Sequence, residues 1–260
     1  MKSRRTCEAT VVAALAMAGL VGTARADGYA AAPKVAYEKP ANWSGLYGGI
    51  DGGWMGSNFD WAFNPPLPAA PHQAYSMSTD SGYVGLHAGY QQQFGVIVLG
   101  VEAATSISRT NWAAETGFGV LPAPFSSEVR LKNLVTVGPR VGFAYSNVLI
   151  YGTGGWAHAD IDSRAMISGV IPLFQAGNDH NGWFAGGGVE LLVGKNAFIG
   201  IEYKHISLDT ETHCAGPPQG TCLGALGGFT DRDISADADI VTARLSLKWG
   251  FDDRRAAPLK

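Results

Sequence analysis

The sequence predicts an all-β chain, an eight-stranded antiparallel up-and-down transmembrane β-barrel. Three observations predict it. The chain opens with an export signal. From residue 43 onward its hydrophobic pattern has period two. The periodic segments are joined alternately by very short and by long connections.

The export signal comes first. Lys2, Arg4 and Arg5 form a positive n-region, an apolar run spans Val11 to Val21, and Ala24-Arg25-Ala26 has the small-x-small form of a signal-peptidase site. The run is too short to cross a bilayer as a helix. Residues 1–26 are therefore expected to be removed, with the mature chain starting at Asp27. Lys2, Arg4, Arg5, Arg25 and Glu8 leave with them, so the mature chain is more acidic than the formal −3 of the whole. No basic patch remains to neutralise phosphates, which argues against nucleic acid as a partner.

Composition agrees with a membrane wall of strands. Glycine supplies 35 of the 260 residues, well above the usual ~7%. Charged residues make up 16%, against a typical ~25%. Abundant glycine disfavours helices, and no run reaches the ~18 apolar residues of a membrane helix.

Residues 27–41 carry Ala, Pro and Lys without periodicity and read as a flexible periplasmic lead. Eight period-two segments follow. In 44–54, Leu46, Ile50 and Trp54 oppose Tyr47, Asp51 and glycines. In 83–94, Val84, Leu86 and Tyr90 oppose His87 and Gln91. In 96–107, Leu99 and Val101 oppose Gly100 and Glu102. In 129–145, Val129, Leu131, Val135, Val137 and Val141 oppose Arg130, Thr136 and Arg140. In 148–161, Leu149, Tyr151 and Thr153 oppose Gly152, Gly154 and Trp156. In 183–193, Trp183 and Val189 oppose Gly188 and Glu190. In 198–208, Ile199, Ile201 and Tyr203 oppose Glu202 and Lys204. In 239–251, Val241, Leu245, Leu247 and Trp249 oppose Arg244 and Lys248. Each segment is long enough for a tilted crossing of about 9–11 residues.

Gly95, Ser146-Asn147 and Gly194-Lys195-Asn196 read as tight periplasmic turns, and 55–82, 108–128, 162–181 and 209–238 as long external loops. Trp43, Tyr47, Phe94, Tyr145, Trp249 and Phe251 fall near the turn ends, where an interfacial girdle belongs. The polar parity is glycine with single charges. That makes a poor soluble exterior and a good lumen, which in an eight-stranded barrel is narrow and filled by side chains.

Trp43-Ser-Gly-Leu-Tyr-Gly-Gly, Gly85-Leu-His-Ala-Gly-Tyr, Gly100-Val-Glu, Tyr151-Gly-Thr-Gly-Gly, Gly186-Gly-Gly-Val-Glu and Ile201-Glu-Tyr follow in order along residues 42–251. This series resembles the outer-membrane β-barrel surface proteins of alphaproteobacteria, often described as porin-like or as surface antigens. The resemblance implies an OmpA/OmpX-type eight-stranded barrel at 42–251, located in the cell outer membrane. It further implies outer-membrane lipid and lipopolysaccharide as surroundings, and the barrel-assembly machinery as a partner during biogenesis. The family's last strand ends on its terminal aromatic, whereas here a tail, 252–260, follows Phe251.

Several constellations bear on function. Glu102, Arg140, Glu190, Glu202 and Arg244 share the lumenal parity near strand ends and are expected in one layer, paired across the wall, because unpaired charge in a narrow lumen is costly. Glu102 is expected to meet Arg140, and Arg244 to meet Glu202 and Glu190, with Lys204 or Lys248 balancing the remaining carboxylate. A conducting path is the alternative reading of the same residues. Cys214 and Cys222, set among Gly216, Pro217, Pro218 and Gly220, are expected to form a disulfide in an oxidising compartment; the spacing does not suit zinc.

His205-Ile206-Ser207 resembles the His-x-Ser of outer-membrane lipid A deacylases, but Leu208 replaces that family's Asn and no orienting carboxylate is evident. Gly152-Thr-Gly154-Gly-Trp-Ala157 matches a dinucleotide fingerprint by letters only, since no helix follows it. Asp231, Asp233, Asp237 and Asp239 read as an acidic rim, with a bridging cation as the alternative. The expected function is an envelope barrel with at most small-solute permeability. Loop-mediated adhesion or ligand binding, for instance of haem, is the alternative, and lipid modification a remote one. No enzyme activity, cofactor or metal is expected.

Overall fold

A computed structural model describes residues 41–63, 74–108, 112–118, 121–214, 216, 220–222 and 231–249. The expected signal peptide, all but the last residue of the lead, Phe251 and the 252–260 tail lie outside the described residues.

Nine strands occur among the described residues: β1 (Gly45–Phe63), β2 (Ala74–Phe94), β3 (Ile97–Ser108), β4 (Ala113–Phe118), β5 (Leu121–Tyr145), β6 (Val148–Ile167), β7 (Ile171–Leu192), β8 (Ala197–His213) and β9 (Arg232–Trp249). Every pairing is antiparallel, and β1 pairs with β9. β3 and β4 both pair with β5, β3 from Ile97↔Phe143 to Ile107↔Asn133 and β4 beginning at Ala113↔Val129. They are successive pieces of one stave. The pairing of β3 with β5 closes the sheet into a ring of eight staves.

The tight connections at 95–96, 146–147 and 193–196 stand where the sequence places them. Gly95 and Ser146 take left-handed backbone conformations, with φ of 64° and 53°. Among the described residues, much of the four long segments is strand rather than loop. Strand pairing runs on to Ala62↔Ala74 between β1 and β2, and to Ile167↔Ile171 between β6 and β7. β8 continues to His213 and β9 begins at Arg232.

The physical reason is visible in β9. Its inward residues are Arg232, Ile234, Ala236, Ala238, Ile240, Thr242, Arg244, Ser246 and Lys248, and all are buried. Its outward residues are Asp233, Ser235, Asp237 and Asp239, then Val241, Ala243, Leu245, Leu247 and Trp249. The alternation never stops, but its polarity inverts at Ile240-Val241. On the tight-turn side apolar residues face out and polar ones face in, as a bilayer demands. On the long-loop side apolar residues face in and charges face out, as water demands.

The same inversion follows Trp54 on β1, Trp156 on β6 and Tyr203 on β8, and precedes Val84 on β2 and Trp183 on β7. Trp54, Trp156, Trp183 and Tyr203 are exposed outward at this boundary and form an interfacial belt. The membrane-spanning segments are thus 45–54, 83–94, 97–107, 134–145, 148–156, 183–192, 197–203 and 241–249. Phe94, Tyr145 and Trp249 are exposed at the opposite edge, as a girdle requires.

Three expected side-chain directions change. Trp43 and Tyr47 are buried inside the barrel rather than in the girdle. On β6, Leu149 and Tyr151 point inward while Ile150 and Trp156 point outward, the reverse of the expected faces. On β5, a bulge between Leu131 and Asn133 shifts the parity, so Val129 and Leu131 are buried while Val137 and Val141 face out.

The interior is filled in three layers. Trp43, Tyr47, Val98, Ala144, Leu149, Tyr151 and Phe198 pack at the tight-turn end. A charged layer lies next. Beyond it a long apolar core includes Met55, Phe59, Trp61, Leu131, Ile161, Phe184, Ile206 and Ile234.

Candidate functional site: the lumenal charge layer

Five residues expected in one layer come together. Arg140 lies 3.2 Å from Glu102 Oε2 and bonds Glu190 through its Nη2. Arg244 donates to Glu102 Oε2 at 2.8 Å and to Glu202 Oε2 at 2.7 Å, with Glu190 Oε1 at 3.8 Å. The pairing is therefore wider than expected, since Glu102 is shared by both guanidiniums. Lys204 Nζ completes the layer, 2.8 Å from Glu202 and 3.9 Å from Glu102. Lys248 takes no part, because its ammonium bonds the Asn42 carbonyl at the tight-turn end.

Two tyrosines and an aspartate–histidine pair belong to the layer and were not singled out from the sequence. Tyr47 donates to Glu102 at 2.8 Å and Tyr151 to Glu202 at 2.7 Å. Each also accepts from a guanidinium 93 residues further along, Tyr47 from Arg140 at 3.2 Å and Tyr151 from Arg244 at 3.0 Å. The Arg140 guanidinium sits 3.6 Å above the Tyr151 ring. Asp51 lies 3.4 Å from Arg244 Nε and 2.8 Å from His87 Nδ1, and His87 Nε2 contacts Ser246 Oγ at 2.7 Å.

Glycine makes room for the tyrosine rings. Tyr47 pairs across the strands with Gly89, and Tyr151 with Gly188. A Cβ at Gly89 would lie 2.5 Å from the Tyr47 hydroxyl, and one at Gly188 would lie 2.7 Å from that of Tyr151. The repeated Tyr…Gly…Gly-x-Glu…Arg order was the available sequence signal. It is masked because tyrosine counts as apolar in a parity reading.

The remaining candidates separate. Cys214 and Cys222 are joined as a disulfide, Cα atoms 4.6 Å apart, beside a Gly216↔Thr221 bridge. His205 and Ser207 share the outward face of β8, and a carboxylate does orient the histidine: Asp239 Oδ1 lies 2.9 Å from His205 Nδ1 and also accepts from Tyr203 at 2.6 Å. The four aspartates do not converge. Asp231 is buried, Asp233 accepts from Thr212 Oγ1 at 2.6 Å, Asp239 holds His205, and Asp237 faces outward from the wall.

Deep in the long-loop half, His213 Nε2 meets His180 Nε2 at 2.8 Å. His213 Nδ1 meets Ser163 Oγ at 3.1 Å, and His180 Nδ1 donates to the Asp209 carbonyl at 2.9 Å. Burial first, then His180 and Arg232, pushes the His213 imidazole down to about 3. This pair was also not foreseen.

A family model described as an outer membrane protein beta-barrel domain matches residues 13–251. The chain belongs to the outer membrane protein beta-barrel family. Its place is the cell outer membrane. A 31 kDa outer-membrane immunogenic protein of Brucella melitensis is 28% identical over 185 residues, covering 68% of this chain and 76% of that protein. The same-named protein of Brucella suis matches to the same extent. Among solved structures, the outer membrane protease OmpT of Escherichia coli aligns over 82% of this chain and 99% of its own, at 11% identity and a TM-score of 0.47. OprG of Pseudomonas aeruginosa aligns over 81% and 98%, at 11% identity and a TM-score of 0.45. The closed ring of strand pairings, not these distant likenesses, establishes the barrel.

Proposed function

We propose that this outer-membrane surface barrel is a non-conducting envelope protein, a plugged stalk that carries its long-loop end beyond the membrane. The observation that carries this reading is the filled lumen. Glu102, Arg140, Glu190, Glu202, Arg244 and Lys204 pair across the full width of the barrel, with packed apolar layers on either side. Between Tyr83, Thr136, Lys204 and Thr242 a cavity of about 20 Å³ remains, room for roughly one water. Ions crossing such a path would have to break buried pairs.

The inverted polarity beyond the aromatic belt supports a sheet that continues into water and presents its outer end to the surroundings. The Brucella relative's name, an immunogenic outer-membrane protein, accords with that exposure. The apolar outward band fits outer-membrane lipid and lipopolysaccharide, and insertion would proceed through the barrel-assembly machinery. On this reading the protein is not an enzyme.

Purified barrel in a planar bilayer should show no steady single-channel conductance. Regular unitary steps would overturn the plugged reading in favour of small-solute permeability.

A further inference from the structure

Just beyond the Trp156–Trp183 belt, three ligand-type side chains converge on the outer wall. His158 and Asp160 lie two residues apart on β6, and Asp179 is the cross-strand partner of Asp160 on β7. One ligand atom from each lies within 4.8 Å of the other two. His158 Nε2 is 3.9 Å from Asp160 Oδ1, too far for a hydrogen bond.

The neighbours hold these groups in a particular state. His158 Nδ1 lies 3.1 Å from Asn181 Oδ1, and Asn181 is the cross-strand partner of His158. An amide oxygen can only accept, so Nδ1 carries a proton, and Nε2 is the ring nitrogen turned toward the carboxylates. The ring is stacked on Trp156 at 5.5 Å and 21°, which limits its rotation. Asp160 is oriented separately. The β5 bulge after Leu131 sets Asn133 opposite Asp160, and Asn133 Nδ2 donates to Asp160 Oδ2 at 2.8 Å. That bond leaves Oδ1 toward His158. A histidine and a carboxylate, each fixed by a neutral partner through its far atom, is the outer-shell arrangement of metal ligands.

Cations on the same face of β5 and β6 are engaged elsewhere. Arg130 and Lys132 are bonded to Asp162, and Arg164 to Glu128. The atoms lie somewhat wider than the roughly 3 Å that separates two ligands on one small cation. Rotation of the exposed Asp179 side chain can narrow that gap while Asp160 keeps its bond to Asn133.

We propose that His158, Asp160 and Asp179 form a binding site for a divalent transition-metal cation such as Zn²⁺ on the outer collar of the barrel. One imidazole and two carboxylates select a borderline cation over Mg²⁺, which is reluctant to take nitrogen and to shed water. Three protein ligands on an exposed wall leave coordination positions open to water, or to anionic groups at the membrane surface.

The test is calorimetric titration of the folded, full-length barrel in detergent with ZnCl₂. The wild-type protein is expected to bind about one equivalent, undisplaced by excess Mg²⁺. His158→Ala should abolish binding. Asn181→Ala keeps every ligand and every charge, and should weaken binding by about 10–100-fold because it releases the imidazole. His205→Ala removes the other outward histidine among the described residues and should leave binding intact. Heat-modified gel mobility checks that each variant is folded. Absence of saturable Zn²⁺ binding in the wild type, binding unchanged in His158→Ala, or binding that follows His205 instead would each overturn the site.

Discussion

Arg140→Ala tests the plug most directly. The Arg140 side chain is 1% exposed and holds two carboxylates at once, Glu102 and Glu190. Their fates differ when it is removed. Glu102 keeps Arg244 at 2.8 Å and the Tyr47 hydroxyl at 2.8 Å. Glu190 is left with Arg244 at 3.8 Å and no hydrogen bond to its Oε1. The stranded charge is therefore Glu190. Breaking a buried pair in this way typically costs about 3–5 kcal/mol, with up to about 2 kcal/mol more from the lost contact over the Tyr151 ring.

The double variant Arg140→Met, Glu190→Gln removes both charges and should recover most of that loss, since a neutral replacement of a buried pair is often tolerated. Urea unfolding of the detergent-folded barrel, followed by tryptophan fluorescence, measures both variants, and the double-mutant cycle isolates the coupling. If Arg140→Ala unfolds within about 0.5 kcal/mol of wild type while opening a conductance, the lumen is hydrated and the reasoning fails.

Acidification should loosen the long-loop half. The native fold holds His213 neutral, depressed to about 3, while an unfolded histidine titrates near 6.5. Between those values the unfolded state binds more protons. Stability is thus complete above about pH 6.5 and falls by about 1.4 kcal/mol per pH unit below it; the urea midpoint at pH 5 against pH 7 measures the slope, and His213→Gln should flatten it. Cys214 and Cys222 should be found oxidised by mass spectrometry in protein from oxidising conditions, and Cys214→Ser should still fold, because so short a closed loop contributes about 3 kcal/mol at most. Cysteine placed at Ser168, in the exposed 168–170 turn, should react with an impermeant thiol reagent on intact cells, while one at Asn147 should not. The opposite labelling would invert the barrel.

Much of the fold was legible because a half-buried strand must alternate. The eight staves, the tight turns and the lumenal parity of Glu102, Arg140, Glu190, Glu202 and Arg244 all follow from that rule. The strands beyond the membrane were missed because their polarity inverts. Residues such as Asp60, Asp162 and Asp237 read as loop residues when apolar-outward is the expected pattern, although they face out from an intact sheet. The β5 bulge hid the true face of Val129 and Leu131, since one extra residue exchanges the parities. Tyr151 was read as lipid-facing because nothing local announces that its hydroxyl has a carboxylate 51 residues away. Asp239 escaped notice as the partner of His205 for the same reason, at a separation of 34 residues.

The two tyrosine–glutamate–arginine sets show how a filled lumen is built. Tyr47, Gly89, Glu102 and Arg140 in the first half correspond to Tyr151, Gly188, Glu202 and Arg244 in the second. Where the halves differ, they differ in compensated steps. The second half carries Glu190 and Lys204 where the first has Gln91 and Ala104; the first carries Asp51 and His87 where the second has Gly155 and Gly186. Each added carboxylate comes with a basic side chain, and both basic groups reach the shared network. On the plugged reading, a filled interior takes acids and bases as couples, because a lone buried charge is costly. A homologue that lacks Glu190 should therefore also have lost a cation of the layer, Arg140 or Lys204, or have opened its lumen to water.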